Sequence, residues 1–249
     1  MKYWLTGLLL LTGSALAADV NKTIRRAENG DEAAQLALGI IYAEGREVPR
    51  NQAEAVKWFQ KAADQGNASA EYNLGLMYAN GDGVQKNPLV AAIWWRQAAI
   101  QGFVSAQHNL GVMYANGEGV PQDEVEAVKW WRMAAEQGHT LAQYNLALMY
   151  AQGKGVGLDN AAALKWYRQA ALHGYAAAQY NLGVMYTQGE GVPKDLIEGL
   201  AWINLAAASG QEVFVRNRDL IERHLGTQAT LTAQERSKKL LRQVEVAQR

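Results

Sequence analysis

The stretch 106–121, AQHNLGVMYANGEGVP, decides how this chain is read, because nearly the same words stand at 70–85, AEYNLGLMYANGDGVQ, and at 178–193, AQYNLGVMYTQGEGVP. A recurring apolar run with its glycines in place is either a copied ligand-holding loop or a structural unit. Spacing separates the two. Leu38, Leu74, Leu110, Leu146 and Leu182 stand 36 residues apart, as do Tyr42, Tyr78, Tyr114, Tyr150 and Tyr186, and Trp58, Trp94, Trp130, Trp166 and Trp202. Self-similarity at such a period marks a repeat architecture, with five units over residues 34–213.

Each unit reads as two helices. Ala70, Leu74, Met77 and Tyr78 share one face of the first, and Ala91, Trp94, Trp95 and Ala98 form the stripe of the second, over about 87–101. Neither helix can bury its stripe alone. Asn51, Asp123 and Asp195 precede Glu54, Glu126 and Glu198 by three residues, the spacing of a reciprocal capping box. Asn87 is followed by Pro88, whose fixed φ suits a first helical position. Gly66, Gly102, Gly138, Gly174 and Gly210 are expected to end the second helices as left-handed caps.

Gly39, Gly75, Gly111 and Gly183 interrupt the first helix, where glycine costs about 1 kcal/mol against alanine. The expected compensation is a close crossing with the second helix, and Ala147 takes the place in the fourth unit. The tryptophan column is read as core or inter-repeat packing, with Trp95 and Trp131 partly exposed beside it. The fold class is therefore all-α: a right-handed αα-solenoid of five 36-residue hairpins with atypical capping helices, curved by a small rotation per unit and monomeric or weakly dimeric. Residues 19–33 read as a partial N-terminal cap, ending in a helix that stops at Asn29–Gly30. Residues 214–249 read as C-terminal caps, with helices at 214–225 and 233–247 and Thr232 and Glu235 boxing the start of the last.

The first residues, MKYWLTGLLLLTGSALAADV, have one lysine, an apolar run from Trp4 to Leu11 and small residues at Ala15 and Ala17, the pattern of a secretory signal peptide over 1–18. The run is too short for the roughly 20 apolar residues of a membrane span, so no stable insertion is expected after cleavage. The chain has no cysteine and is expected to hold together by packing alone. It carries 24 basic and 24 acidic side chains, and nucleic acid is excluded as a partner by the lack of a basic surplus or stripe. RSKKLLR at 236–242 reads as the solvated face of a last helix.

The unit resembles the Sel-one-like repeat (SLR) family, relatives of tetratricopeptide repeats. The resemblance rests on AxYNLGxMYxxGxGVxxD, here Ala70–Asn87, followed by AxxWxxxAAxxG, here Ala91–Gly102, and on the four other copies. Departures fall at Glu47, Ala147 and Gly157, and the cysteine pairs that clamp each repeat in other members are absent. The resemblance implies an adaptor that binds a protein or peptide, organising envelope complexes, signalling factors or secreted host-interaction proteins. With the leader it points to the periplasm of a Gram-negative bacterium, or to release beyond the outer membrane. The alternative it leaves open is an enzyme or binder of cell-wall glycan.

Chemistry finds little support in the residues. The loops NGDGV, NGEGV, QGKGV and QGEGV lack the strand context of a dinucleotide fingerprint and the GK[ST] of a Walker loop, and their middle residue changes sign among Asp82, Glu118, Lys154 and Glu190. They read as turns. His108, His139, His173 and His224 are scattered, and only His139 and His173 with Glu136 suggest an opportunistic metal site, short of the converging set zinc needs. No GxSxG, SxxK, KTG or SDN set is present. No catalytic residue, cofactor or metal is therefore assigned.

The candidate binding residues lie opposite the Leu74 stripe. Tyr72, Leu76 and Ala79 share that face and Asn73 and Asn80 border it. Translation by 36 residues gives His108, Asn109, Val112 and Asn116; Tyr144, Asn145, Leu148 and Gln152; and Tyr180, Asn181, Val184 and Gln188. In tetratricopeptide relatives the corresponding face lines a concave groove, sometimes with Lys and Arg clamping a carboxylate. None occupies these positions, so the expected ligand is apolar and hydrogen-bonded. Asparagines that tie helices together and tyrosines that fill gaps are the structural alternative.

Overall fold

The computed structural model describes residues 13–248, so the leader expected over 1–18 lies largely outside the described residues. Helix α1 (Gly13–Glu28) is followed by five hairpins. Their first helices are α2 (Glu32–Glu44), α4 (Ala68–Asn80), α6 (Val104–Asn116), α8 (Thr140–Gln152) and α10 (Ala176–Gln188); their second helices are α3 (Gln52–Ala63), α5 (Pro88–Ile100), α7 (Glu124–Glu136), α9 (Asn160–Leu172) and α11 (Leu196–Ala207). Helices α12 (Glu212–Leu225) and α13 (Thr227–Ala247) close the chain. The fold is an all-α solenoid of five repeats, with no strand among the described residues. It divides into two compact units: one runs to Ala106 and includes Glu118–Val120, and the other holds Gln107–Gly117 and the chain from Pro121.

Each hairpin closes by laying a large side chain on a small residue. A Cβ added to Gly39 would stand 2.6 Å from the Phe59 ring, one on Gly111 2.6 Å from the Trp131 ring, and one on Gly183 2.5 Å from Ile203 Cγ1; Gly75 meets Trp95 in the same way. The glycine thus permits an approach no larger residue allows, and the buried area of the facing side chain offsets its helical penalty. In the fourth hairpin Ala147 faces Tyr167, both buried. Trp95 and Trp131 are accordingly 7% and 6% exposed, and their indole N–H groups donate to Tyr72 O and His108 O at 3.1 and 3.2 Å. The expectation that they are partly exposed is corrected, whereas the preceding column packs on the core as expected, at two depths. Trp130 and Trp202 are buried, but Trp58, Trp94 and Trp166 are only partly so, with Lys61 Nζ 3.9 Å above Trp58 and Lys165 Nζ 5.3 Å from Trp166.

The loop between the two helices is clipped to the first. The amides of Asn51, Asn87, Asp123, Asp159 and Asp195 donate to the carbonyls of Tyr42, Tyr78, Tyr114, Tyr150 and Tyr186 at 2.8–3.0 Å. The same five residues cap the second helices, each side chain accepting from an amide two or three residues on. Only half of the expected capping box forms, because the tyrosine carbonyl already holds the cap amide. Glu54 and Glu126 turn to Lys57 and Lys129, and Glu198 to Trp202 and Arg236.

Neighbouring repeats meet through backbone and amides. The second loop glycine rests on the start of the preceding second helix: a Cβ on Gly191 would stand 2.5 Å from Asn160 O, and Gly83, Gly119 and Gly155 abut Gln52, Pro88 and Glu124 likewise. This column answers to an inter-repeat contact as well as to a turn, and Glu47, with φ of 63°, occupies it in the first repeat. Inside the units, Gln35, Gln143 and Gln179 are buried and donate to Ala27, Ala135 and Ala171 O at 3.1–3.2 Å, carbonyls in the last turns of the preceding helices. Gln65 and Gln137 donate in turn to Gln35 and Gln107, and Gln101 to Glu71, whose carboxyl burial pushes upward. His173 stands where the next such glutamine belongs, and Gln143 Oε1 is left buried without a partner.

At the ends, α1 stops at the Asn29–Gly30 turn and packs Ile24 and Ala27 beside Ala34 and Leu38. The last helix begins earlier than the expected 233. Thr232 lies inside α13, bonded to Gln228 O, and Glu235 pairs with Lys238, so neither caps. The turn at Gly226 restarts the helix directly after α12.

Two alanine substitutions separate turn strain from inter-repeat contact. Gly138→Ala meets nothing within 4 Å, so only its φ of 87° resists, and a loss of about 1 kcal/mol is expected in urea unfolding. Gly191→Ala adds a clash with the Asn160 backbone and should cost about 3 kcal/mol by the same measurement.

Candidate functional site

The aromatic members of the candidate face pack on rings at the start of the next helix but one, stacked in two pairs, tilted in one and edge-on in one. Ring centroids lie 4.8 Å apart for Tyr72 and Phe103, 4.5 Å for His108 and His139, 4.9 Å for Tyr144 and Tyr175, and 4.7 Å for Tyr180 and Phe214. Such pairs add about 0.5–1.5 kcal/mol beyond their buried area. Sequence reasoning missed the partner residues. Phe103, His139 and Tyr175 share a column that runs Asn67, Phe103, His139, Tyr175, Gln211, with no constant residue to announce it, and Phe214 stands three residues beyond its end.

The asparagines reach back one repeat. Asn145 Nδ2 lies 3.4 Å from His108 Nε2, Asn181 hydrogen-bonds the phenols of Tyr144 and Tyr167, and Asn217 donates to Tyr180 Oη. Asn109 Oδ1 lies 3.3 Å from His108 Nδ1, and Asn73 is 4% exposed and donates to Ser69 O. These amides serve the fold. Leu76, Ala79, Val112, Leu148 and Val184 remain partly exposed, and Asn80, Asn116, Gln152 and Gln188 are exposed at the C-terminal ends of the first helices.

The histidine pair has its own electrostatics. His139 caps α8, its Nδ1 accepting from Ala142 N at 3.2 Å, which assigns its ring proton to Nε2. A neutral His108 protonated on Nδ1 satisfies both Asn109 and Asn145. Burial, and then the neighbouring His139, lower the pKa of His108 to about 4, and burial lowers that of His139. Burial, with the nearby Tyr175, pushes the Tyr144 phenol up. The metal reading of His139 and His173 with Glu136 is not built: His139 is engaged in the cap and stack, and no group of three or more His, Cys, Asp or Glu suited to a metal occurs among the described residues.

Stacked helical hairpins with a repeated interior, side-chain seams between repeats and differing ends define the protein as an α-solenoid of the tetratricopeptide-like class. The five hairpins match the Sel1 repeat in register, at 32–67, 68–103, 104–139, 140–175 and 176–211, and the chain belongs to the Sel1 repeat family. Sel1 repeat proteins generally serve as protein–protein interaction scaffolds, and the family is typically non-enzymatic. Among solved structures, the chain is similar to a protective antigen of uropathogenic Escherichia coli strains that displays an SLR fold, with 35% identity and a TM-score of 0.83 over 92% of this chain and 49% of that one. It is also similar to a Sel1 repeat protein from Oxalobacter formigenes, with 35% identity and a TM-score of 0.72 over 83% of this chain and 60% of that one. The chain thus spans about half to three-fifths of these relatives. No curated protein sequence matches it.

The partly buried histidines make stability depend on pH. The folded pKa of His108 lies below the ordinary 6.5, so the unfolded chain binds the proton more readily and stability falls as pH drops from about 6.5 towards 4. A loss of up to about 3 kcal/mol is expected across that window. His108→Tyr, which restores the ring of the neighbouring repeats, should remove most of it in urea titrations at pH 7 and pH 4.5.

Proposed function

We propose that the protein is a non-catalytic scaffold that binds a protein or peptide partner along its first helices, and that it acts in the periplasm of a Gram-negative bacterium or beyond its outer membrane. The observation that carries the binding reading is the column of partly exposed Val112, Leu148 and Val184 beside exposed Asn116, Gln152 and Gln188, in register on consecutive repeats of an interaction-scaffold family. Aliphatic area offers desolvation, and the amides can pair with a ligand backbone without a charge. Tyr144 and Tyr180 share this face but their rings are already packed within the seam, so they are not free to act as inserted anchors. With no Lys or Arg at these positions, binding should change little with salt.

Export is supported by the leader pattern, and Val20, Ile24 and Ala27, which pack in α1, lie beyond the expected cleavage after Ala17 or Ala18 and would be kept.

A photo-crosslinking residue at Gln152 or Gln188, followed by mass spectrometry of fractionated cells, tests the surface. Crosslinks to one partner, lost on Gln152→Arg with Gln188→Arg at unchanged helicity, are expected. Crosslinks only from Lys129 or Lys165 positions would move the site to the second helices. Saturable cleavage of muropeptides by the purified protein, with no partner recovered, would reverse the assignment in favour of cell-wall chemistry. Sequencing the mature N-terminus from the same fractions checks export: the expected protein begins near Asp19, and Met1 on a cytosolic chain rejects it.

A further inference from the structure

The outer face of α11 shows what this fold requires of a helix laid on a second helix. There α13 places Ser237 Oγ 3.2 Å from Ala201 O, where it accepts from Asn204 Nδ2 at 3.1 Å, and Arg236 grips Glu198 with Nε and Nη2 at 2.6 and 3.2 Å. Leu240 and Val244 pack with Ala201 and Trp202, and the latter two are 0% exposed.

The residue corresponding to Ala201 is Lys57 in α3, Lys129 in α7 and Lys165 in α9, all exposed. Where that position meets water the chain carries lysine, and where α13 covers it the chain carries alanine. Helix α5 departs from both. Its residue is Ile93, 49% exposed, with Leu89 at 57% and Ile100 at 70% on the same face, at steps of four and seven residues. Arg96 is exposed between them. Single exposed aliphatics need no explanation. Three on one helix face, with Ile93 at the register that α13 covers in α11, do.

We propose that the outer face of α5 docks an amphipathic helix of a partner protein, with one carboxylate set opposite Arg96, in the manner of α13 on α11. The register specifies this occupant. Val90 stands where α11 has Glu198, so the residue in the place of Arg236 is apolar. Arg96 stands where α11 has Asn204, so the residue in the place of Ser237 is a carboxylate. The places of Leu240 and Val244 stay apolar, and the bulk of Ile93 against Ala201 sets the helices further apart within the usual 8–10 Å. The α13 of a second copy does not fit, because its Arg236 would exchange Glu198 for Val90 and lie uncompensated. This face is distinct from that of the first helices, so each reading stands or falls alone.

The test titrates the full protein, labelled at Ile and Leu methyls, with a synthetic 21-residue peptide of the α13 sequence carrying Arg236→Leu and Ser237→Glu, beside the unmodified peptide. Saturable NMR shifts at Leu89, Ile93 and Ile100 are expected with the modified peptide, at least tenfold tighter than with the unmodified one. Ile93→Lys, which restores the residue of the other repeats, should abolish them at unchanged thermal unfolding, and Arg96→Glu should weaken binding at least tenfold. Absence of shifts at these methyls, equal binding of both peptides, or shifts confined to Ile197, Leu200 and Ile203 of α11 would overturn the proposal. So would a dimer in equilibrium sedimentation that Ile93→Lys dissolves, since the face would then be occupied by a second copy.

Discussion

The closest approach of two helices, with a large side chain lying on a glycine, is the constraint on which the rest of the structure depends. It sets how far the second helix stands from the first in the hairpins of Gly39, Gly75, Gly111 and Gly183, and hence how short the connecting loop can be. The loop fits because a cap residue serves twice, its side chain opening the second helix and its amide closing on a tyrosine carbonyl of the first. Alanine at 0% exposure lines the remaining contacts, at Ala55, Ala91, Ala127 and Ala163 among others, so helix axes can stay close throughout. Without cysteine, this packing carries the fold.

Repeats are joined by a different chemistry from the one that closes each hairpin. Inside a hairpin the contact is apolar and steric. Between hairpins it is carried by buried glutamines on helix-end carbonyls, by asparagines one repeat on, and by paired rings. Polar groups buried in this way demand geometry, because an amide that loses its partner keeps its desolvation penalty. The junction is therefore specific in register and tolerant in residue type: a Tyr–Tyr pair at one junction and a His–His pair at another fill the same place. The substitution has consequences, since imidazoles titrate where phenols do not, and the histidine junction alone gains a penalty in mild acid.

That division shapes the candidate surfaces. On the first helices, the rings and asparagines with an obvious capacity for recognition are largely taken up by the seam, and the residues left to a ligand are the plainer aliphatic and amide columns. On the second helices, lysines lie over or beside the outer tryptophans and keep most of that face in water. The exceptions are α11, covered by α13, and α5, whose aliphatic face has no lysine.

Periodicity alone was enough for the hairpin, its five copies, the glycine crossing and the caps, because each of these is local: a 3.6-residue stripe, a breaker, or a residue type required at a fixed step. Tertiary structure decided whatever depends on which neighbour arrives first. Glu54 and Glu126 have the spacing of a capping box, but the tyrosine carbonyl reaches the cap amide before them. Trp95 resembles a spare aromatic next to Trp94, yet it is the ring that meets the glycine, because a one-residue step turns a helical side chain by about 100°. Phe103, His139 and Tyr175 share no residue type, so their column is silent in the sequence and appears only when the next hairpin brings each ring onto Tyr72, His108 or Tyr144. Which part of a repeated face remains open to a partner was beyond the sequence for the same reason. The second to fifth repeats carry similar residues there, and only packing between repeats distinguishes a side chain that holds the solenoid together from one left to bind.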